Sequence, residues 1–424
     1  MTKPRAVGAD AVNLIGFETT YGIPPDGGAG GVYYRVPLRQ YGLSPERTPE
    51  EDPTWNRGTP DAGDPVEGPV VVNDSMTLPM CARSMGVALR AVLGVPDSDE
   101  TEVDSGIFEH VFASGEDLPS FSSQTGHPKL TAAKWRTVHG VKAGGMNFDM
   151  ARTGRALVEI PLVGQGEIKD GTVGGSATVA ADAGNTGNGV LTLADPAFAA
   201  GAAAGDYRVV CTAAAAGGGT FEVLDTDDEQ IGTVDVGDAF DGPVKFTIAD
   251  GAADFEVGDE FTITLHPLAA RDAAPIMLAY LPFDNARGAI TVGGGAIANV
   301  TAARFSFSNA LEAVETIRAD GMIDGVDEGE RMATGTVDVR FGADTTLEDL
   351  ADGKTPAAME LSFTLRSHPG WSLKFQLPRV FFFNPKLPIN GPGGISQSWQ
   401  WRAAHDTTLG YLLGVVLTND VESY

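Results

Sequence analysis

Cysteine is nearly absent from this sequence, with only Cys81 and Cys211 among 424 residues. The two lie in different predicted modules, which argues against a disulfide framework and agrees with synthesis in a reducing cytosol. Apolar runs are short, and none approaches the roughly 20 residues that a membrane helix needs. No basic segment followed by an apolar one predicts a signal peptide. These absences argue against a disulfide-stapled secreted scaffold and a helical membrane protein.

Positive charge is also scarce, since 29 Lys and Arg stand against 57 Asp and Glu, for a net charge of −28. The imbalance is greatest between Asp170 and His266, where seventeen acidic residues face only Arg208 and Lys245. Such a surface repels nucleic acid, whose binding normally needs basic side chains. The acidity has two interpretations: it repels nucleic acid, or it only keeps the protein soluble.

Sequence motifs typical of metal sites, phosphate loops and catalytic nucleophiles are missing as well. None of the six histidines has a second ligand at a spacing typical of zinc sites. The acidic run at 225–229 lacks the glycine and closing glutamate of a calcium loop, and the glycine runs at 293–295 and 391–394 lack the Lys-Ser/Thr of a phosphate loop. No Gly-x-Ser-x-Gly motif occurs. The sequence therefore predicts no catalytic residue, metal ligand or cofactor site, and indicates that the protein is not an enzyme.

What the chain does contain is glycine (54 residues), proline (26) and short alternating segments, which together favour a mainly β fold. One order of elements occurs twice. A strand at 68–78 precedes a helix at 80–93 that ends at Gly94, and a strand at 335–341 precedes a helix at 345–352. Thr345 and Glu348 have capping-box spacing. Cys81, on the apolar face of the first helix, is interpreted as a small buried hydrophobe. The copies agree in element order, not in residue identity, and indicate a duplicated unit.

Between the copies, residues 169–269 have a different composition, rich in Ala and Gly with acidic turns. Strands still alternate there, with Tyr207, Val209 and Cys211 on one face. The sequence thus predicts three domains: a first unit at 1–168, an inserted small antiparallel β domain at 169–269, and a second unit at 270–424.

Several segments together resemble the tail tube (major tail) proteins of long-tailed bacteriophages. They are GFETTYG at 16–22, LPSF at 118–121 followed by GHP at 126–128, VGQGE at 163–167, LPFDN at 281–285 and RADGMIDG at 318–325. The resemblance implies two tandem β-sandwich or barrel units, each with one short helix. It also implies stacked rings that form a hollow tube, here trimeric and pseudo-six-fold because each chain supplies two units. The inserted domain would then face outward, since inside the lumen it would block the channel.

On this interpretation the protein is a virion component assembled in the host bacterial cytoplasm, with no membrane contact. Its partners are other copies of itself, a tape-measure protein and tail tip or terminator proteins, while viral DNA passes through without specific binding. Polar strand faces supply the candidate lumen residues Arg304, Ser306, Ser308, Thr336, Asp338 and Arg340. The long polar stretches at 46–68 and 320–332 supply the candidate inter-ring residues Trp55, Arg57, Asp324 and Asp327.

Two alternatives remain at this stage. The first is a surface adhesin or carbohydrate-binding protein, for which the five tryptophans could form a sugar platform. Trp399 and Trp401 alternate on one strand face, which favours core or subunit-contact positions instead. The second is a β-solenoid or sandwich enzyme that uses paired carboxylates.

Overall fold

The computed structural model describes residues 4–25, 33–51, 61, 64–96, 101–115, 117–131, 133–199, 201–268, 270–272, 274–386 and 393–424. It divides into two compact units. The acidic unit consists of Met1–Val12, Gln124–Thr137 and Ile168–Ala273. The larger unit consists of Asn13–Ser123, Val138–Glu167 and Ala274–Tyr424.

Strands dominate both units, as the alternating pattern predicts. The elements are, in chain order, β1 (Val12–Phe17), β2 (Tyr33–Arg35), β3 (Gln40–Tyr41), β4 (Glu46–Arg47), β5 (Val70–Pro79), α1 (Met85–Leu93), β6 (Thr101–Asp104), β7 (Ile107–Ala113), β8 (Phe121–His127), β9 (Lys134–Ala143), β10 (Gly145–Met150), β11 (Leu157–Gly164), β12 (Gly166–Ile168), β13 (Gly174–Ala181), β14 (Val190–Phe198), β15 (Gly205–Ala215), β16 (Gly218–Leu224), β17 (Gln230–Asp235), β18 (Ala239–Asp241), β19 (Val244–Ala249), β20 (Glu260–Pro267), β21 (Ile276–Met277), β22 (Gly288–Val292), β23 (Gly295–Ala296), β24 (Val300–Ser308), β25 (Glu312–Val314), β26 (Gly325–Asp327), β27 (Met332–Arg340), α2 (Thr346–Gly353), β28 (Ala357–Thr364), β29 (Ser372–Phe383), β30 (Ser396–Ala403) and β31 (Gly414–Asn419). Short 3₁₀ turns occupy Gly8–Asp10, Asp170–Thr172 and Asn285–Arg287.

The first copy of the strand–helix order consists of β5 and α1, and we call the part of the larger unit around it the first repeat. Val72, Met76 and Leu78 of β5 are buried on one face, as period-2 alternation requires. The helix begins at Met85 rather than at residue 80, and Gly94 with φ of 100° follows its last residue. Cys81 is buried as predicted, but it lies before the helix, where its Sγ accepts a hydrogen bond from Leu281 N.

The second copy consists of β27 and α2, and defines the second repeat. Val337 and Val339 of β27 are buried, and α2 begins at Thr346, one residue after the predicted start. The predicted capping box is wrong, because Thr345 makes no side-chain cap to the helix and its hydroxyl donates to Asp349 instead. Asp344 accepts from the amide of Thr346, since a carboxylate satisfies a free amide of the first turn well.

The two repeats share one sheet in the larger unit. Its strands β5, β11, β10, β24, β27, β30 and β29 pair in that order, all antiparallel. The ladder between β10 and β24 joins the repeats, with Gly145 opposite Ser308 and Met150 opposite Ala303. We call this ladder the internal seam. The repeats are also joined where β7 of the first repeat pairs with β31 of the second.

The acidic unit has a core of its own. Its strands form one sheet in the order β13-β20-β15-β16-β17 and a second in the order β14-β19-β18. The predicted inward faces are confirmed, since Tyr207, Val209 and Cys211 are buried together with Phe246 and Ile263 in one apolar cluster. Burial raises the pKa of the Cys211 thiol, which favours the neutral form of this side chain.

Candidate functional site

The six lumen residues predicted from sequence lie on two adjacent strands of the larger unit. Arg304 of β24 stands opposite Thr336 of β27, while Phe305 and Phe307 point into the core. Arg304 and Arg340 are exposed and the others are half-buried; the full set is Arg304, Ser306, Ser308, Thr336, Asp338 and Arg340. The structure therefore brings these residues together on one side of the sheet, away from its core.

Neighbouring strands extend this side with residues that the sequence interpretation missed. Residues directly opposite each other on paired strands share a face. One such row crosses six strands and consists of Thr77, Glu159, Asn147, Ser306, Thr334 and Arg402. A second consists of Asp149, Arg304, Thr336 and Gln400. We call the residues of these two rows, with Ser75, Ser308, Asp338, Arg340 and Ser398, the polar face.

Both signs of charge are present on the polar face. Arg304 lies 3.7 Å from Asp149, and both side chains are about three-quarters exposed. Glu159 accepts a hydrogen bond from Ser75, and Asn147 accepts one from Ser306. The acidic groups Asp149, Glu159 and Asp338 are matched in number by Arg304, Arg340 and Arg402. The polar face is thus mixed in charge, although the chain as a whole is strongly acidic.

The motif residues that are distant in sequence meet around Glu18. Its carboxylate accepts hydrogen bonds from the amides of Gly22 and Gly140 at 2.8 and 2.9 Å. It also accepts from the hydroxyls of Ser120 and Ser122 at 2.7 and 2.6 Å. Burial, followed by the nearby Glu18 charge, raises the pKa of Tyr21 to about 12. These contacts give the motif at 16–22 a structural role, because they fix three chain segments to one carboxylate.

A second set of contacts joins the motifs at 163–167 and 318–325. The Gln165 amide donates to the carbonyl of Ile323 at 3.1 Å. Met322 packs so closely on Gly166 that a Cβ there would lie 2.6 Å from its sulfur. A side chain at this position would have to displace the end of the Met322 side chain, which packs directly on the glycine. The motifs of the first repeat are held directly by the polar stretch that precedes β27.

Comparison with known proteins fits this arrangement. A family model described as phage tail tube protein matches residues 8–203 and again residues 193–403. The chain belongs to the phage tail tube protein family. Membership carries a structural role in the virion tail tube and implies self-assembly into that tube; such a family is not normally enzymatic. The double match agrees with the duplicated strand–helix order.

No curated protein matches the chain. Among solved structures, it is similar in part to two crystal forms of Xanthomonas campestris FlgL, at 29% and 28% identity with TM-scores of 0.18 and 0.17. The matches cover 23% and 22% of this chain and 31% and 29% of those chains, so the chain spans less than a third of the FlgL structures. TM-scores this low carry no structural argument.

Asp324 and Asp327, the candidate inter-ring residues in the described part of the chain, lie outside the strands that carry the polar face. The Arg318 guanidinium binds Asp324 at 2.9 Å and Asp320 at 2.8 Å. The hydrogen bond from Arg318, with a further one from the amide of Met322, lowers the pKa of Asp320 to about 2. Asp327 ends β26 in an exposed position. Trp55 and Arg57 lie outside the described residues.

The tryptophans do not form a sugar platform in the described part of the chain. Trp371, Trp399 and Trp401 are at most 5% exposed, which confirms the core interpretation for Trp399 and Trp401. Among the described residues, no group of three or more His, Cys, Asp or Glu side chains is placed to hold a metal ion. Within the same residues, no helix has both the length and the apolar character to cross a membrane.

Proposed function

We propose that this protein polymerises as stacked rings into the phage tail tube, and that this tube is the conduit for DNA ejection. The observation that carries the proposal is the internal seam, where two repeats of one chain join edge to edge through six paired residues on each strand. A repeat that completes its sheet with a second repeat can complete it with a repeat of another chain. Family membership supports the same assembly.

The polar face is the proposed lumen lining. Its alternating side chains leave one side of the sheet hydrated while the other side forms the core. Three carboxylates balanced by three arginines offer no continuous row of cations to a DNA backbone, so DNA slides past without the counterion release that drives binding. The residues proposed to line the lumen within the polar face are Arg304, Ser306, Ser308, Thr336, Asp338 and Arg340.

The proposed ring is trimeric and pseudo-six-fold, because each chain contributes two repeats. In this arrangement residues 1–168 and 270–424 are tube units, and the inserted domain at 169–269 faces outward so that the channel stays open. Asp324 and Asp327, together with Trp55 and Arg57, are proposed to contact the next ring. The proposed partners are the tape-measure protein and tail tip or terminator proteins, with assembly in the host cytoplasm.

Electron microscopy of the purified protein tests the function, and native mass spectrometry of the rings tests their symmetry. We expect rings or tubes with a central channel, and three chains in each ring. Six chains per ring would contradict the trimer. A monodisperse monomer that binds glycan beads would contradict the tube and favour an adhesin.

A further inference from the structure

The two repeats of the larger unit can be aligned residue by residue. In the first repeat, Met76 of β5 stands opposite Ile160 of β11. In the second, Val337 of β27 stands opposite Trp399 of β30. All four side chains are buried. Val71 lies five residues before Met76, and Met332 lies five residues before Val337. The two exposed residues therefore correspond to each other in this alignment.

The same alignment identifies equivalent ends of the following strands. Leu162 of β11 pairs with Ala143 of β9. Trp401 of β30 pairs with Phe382 of β29. The pairing with β11 shifts by one residue between Ala143 of β9 and Asn147 of β10. With this shift, Gly145 of β10 corresponds to Phe383 of β29. The end of β29 in the second repeat is the counterpart of the start of β10 in the first.

In the first repeat this strand end is covered by another part of the chain. Ser308 of β24 pairs with Gly145. The next residue, Asn309, is buried. Its side-chain amide donates hydrogen bonds to the carbonyl of Val92, at the end of α1, at 2.9 Å and to the carbonyl of Ala143, at the end of β9, at 3.1 Å. Further along, Glu328 binds Lys142 at 3.3 Å. The segment between β24 and β27 (residues 309–331) thus covers the end of the first repeat.

In the second repeat no described strand covers the corresponding strand end, where the Asn384 side chain donates to Asp352 of α2 at 2.6 Å. β28 pairs with β29 only as far as Val380, and β30 pairs with residues 380–383 from the other side. Among the described residues, no strand pairs with the β28 side of residues 381–386. Phe383 is 51% exposed at this edge. A cavity of about 970 Å³ lies beside it, bounded by the ends of α2, β29 and β30.

The counterpart of β24 in the first repeat is the segment that contains β3 and β4. It pairs with β5 in one constant register, with Gln40 opposite Thr77 and Glu46 opposite Val71. Because Val71 corresponds to Met332, which pairs with Ser308, Glu46 corresponds to Ser308. Glu46 and Arg47 are exposed.

We propose that the edge of residues 381–386 and the cavity beside it receive β4 and residues 48–51 of a neighbouring subunit. This inference rests on the proposed tube function and names the two surfaces that meet between chains. The contact is head-to-tail, so repeating it closes a ring when the rotation between subunits permits. The intersubunit ladder reproduces the internal seam, with Glu46 of the neighbour opposite Phe383.

Charge favours this occupant over an unrelated ligand. The cavity lining includes Arg331, Lys354, Arg402 and His405 but one acidic residue, Glu330, in a chain with a net charge of −28. The incoming segment carries Glu46, Glu50 and Glu51 against Arg47. Opposite charges across an interface steer association and fix its register.

Cysteine cross-linking tests the proposed register. The double variant Glu46→Cys/Phe383→Cys, treated with a mild oxidant or a short bis-thiol reagent, should shift from monomer to a covalent species of three chains. A second pair two residues along the ladder, Ser44→Cys/Pro385→Cys, should behave in the same way. Native Cys81 and Cys211 are buried and give little background. The matched control is Phe383→Cys/Val190→Cys, because Val190 is 60% exposed but belongs to the acidic unit.

The outcomes separate this inference from the function on which it rests. Covalent trimers from both ladder pairs, and not from the control pair, support the proposed contact. Rings seen by electron microscopy without cross-links above the control level overturn this contact and leave the tube function standing. Absence of rings from the unmodified protein overturns both. Binding of a small molecule in the cavity of assembled rings also overturns the proposed occupant.

Discussion

At the residue scale, Glu18 holds together segments that lie more than 100 positions apart. Four donors converge on its two oxygens, two of them the backbone amides of Gly22 and Gly140 and two of them serine hydroxyls. Hydrogen bonds to an ionised acceptor are stronger than those between neutral groups. The glutamate of the 16–22 motif is therefore explained by folding of the larger unit, and needs no catalytic role.

Substitution Glu18→Gln tests this. Glutamine retains one accepting oxygen but turns an NH₂ group toward donors, so the variant should lose about 2–4 kcal/mol of unfolding free energy. Urea unfolding followed by tryptophan fluorescence measures the loss. The control is Glu422→Gln, at an exposed position, where we expect a change below about 0.5 kcal/mol. Equal unfolding midpoints for the two variants would show that the Glu18 contacts contribute little.

At the element scale, the sequence predicts strands from their local alternation, but it does not predict which distant strands pair with each other. Alternation predicted β5, the buried face of β15 and the polar faces of β24 and β27, because side chains of a half-buried strand repeat with period 2. β10 was missed as a separate strand, although Met146, Phe148 and Met150 alternate, since the glycines at 144 and 145 resemble a turn. Its pairing with β24 is a contact between residues far apart in the chain, which no local period encodes.

The candidate site shows the same division. The outward faces of β24 and β27 were predictable, and the structure places their polar residues side by side. Asn147 and Asp149 were missed because they belong to the unpredicted strand. The opening of the second helix was misinterpreted for a different reason: Asp344 and Thr345 are both good caps, and spacing alone does not choose between them.

Asn309, the residue that follows the internal seam, offers the element-scale prediction. Asn309→Ala removes both amide donations and leaves the carbonyls of Val92 and Ala143 without that partner, so we expect a loss of about 1–3 kcal/mol. Asn309→Asp should be worse, because a buried carboxylate would face two carbonyl oxygens. Chemical unfolding measures both. Exposed Ser398→Ala on β30 is the control, and an Asp variant as stable as the Ala variant would contradict the assigned contacts.

At the scale of the whole molecule, the acidic unit and the larger unit have separate apolar cores. Within the acidic unit, fully buried Asp170 accepts from Gln124 at 2.6 Å and binds Arg271 at 2.9 Å. These residues come from three chain segments at the base of the inserted sequence. A buried charge is tolerated only when it is paired and hydrogen-bonded, so this cluster must be kept in any truncation.

A truncation that respects the cluster tests whether the inserted strands matter for assembly. Gly174 and Pro267 are paired across β13 and β20, so a short Gly-Ser turn can replace residues 175–266 without stretching the chain. Asp170, Gln124 and Arg271 remain. We expect the shortened protein to form rings with the same number of chains and the same channel width but a smaller outer diameter, as measured by electron microscopy. The channel width is expected to persist because the polar face and the internal seam both lie in the larger unit. A folded but ring-incompetent product would show that the inserted strands take part in subunit contacts and would overturn their outward placement.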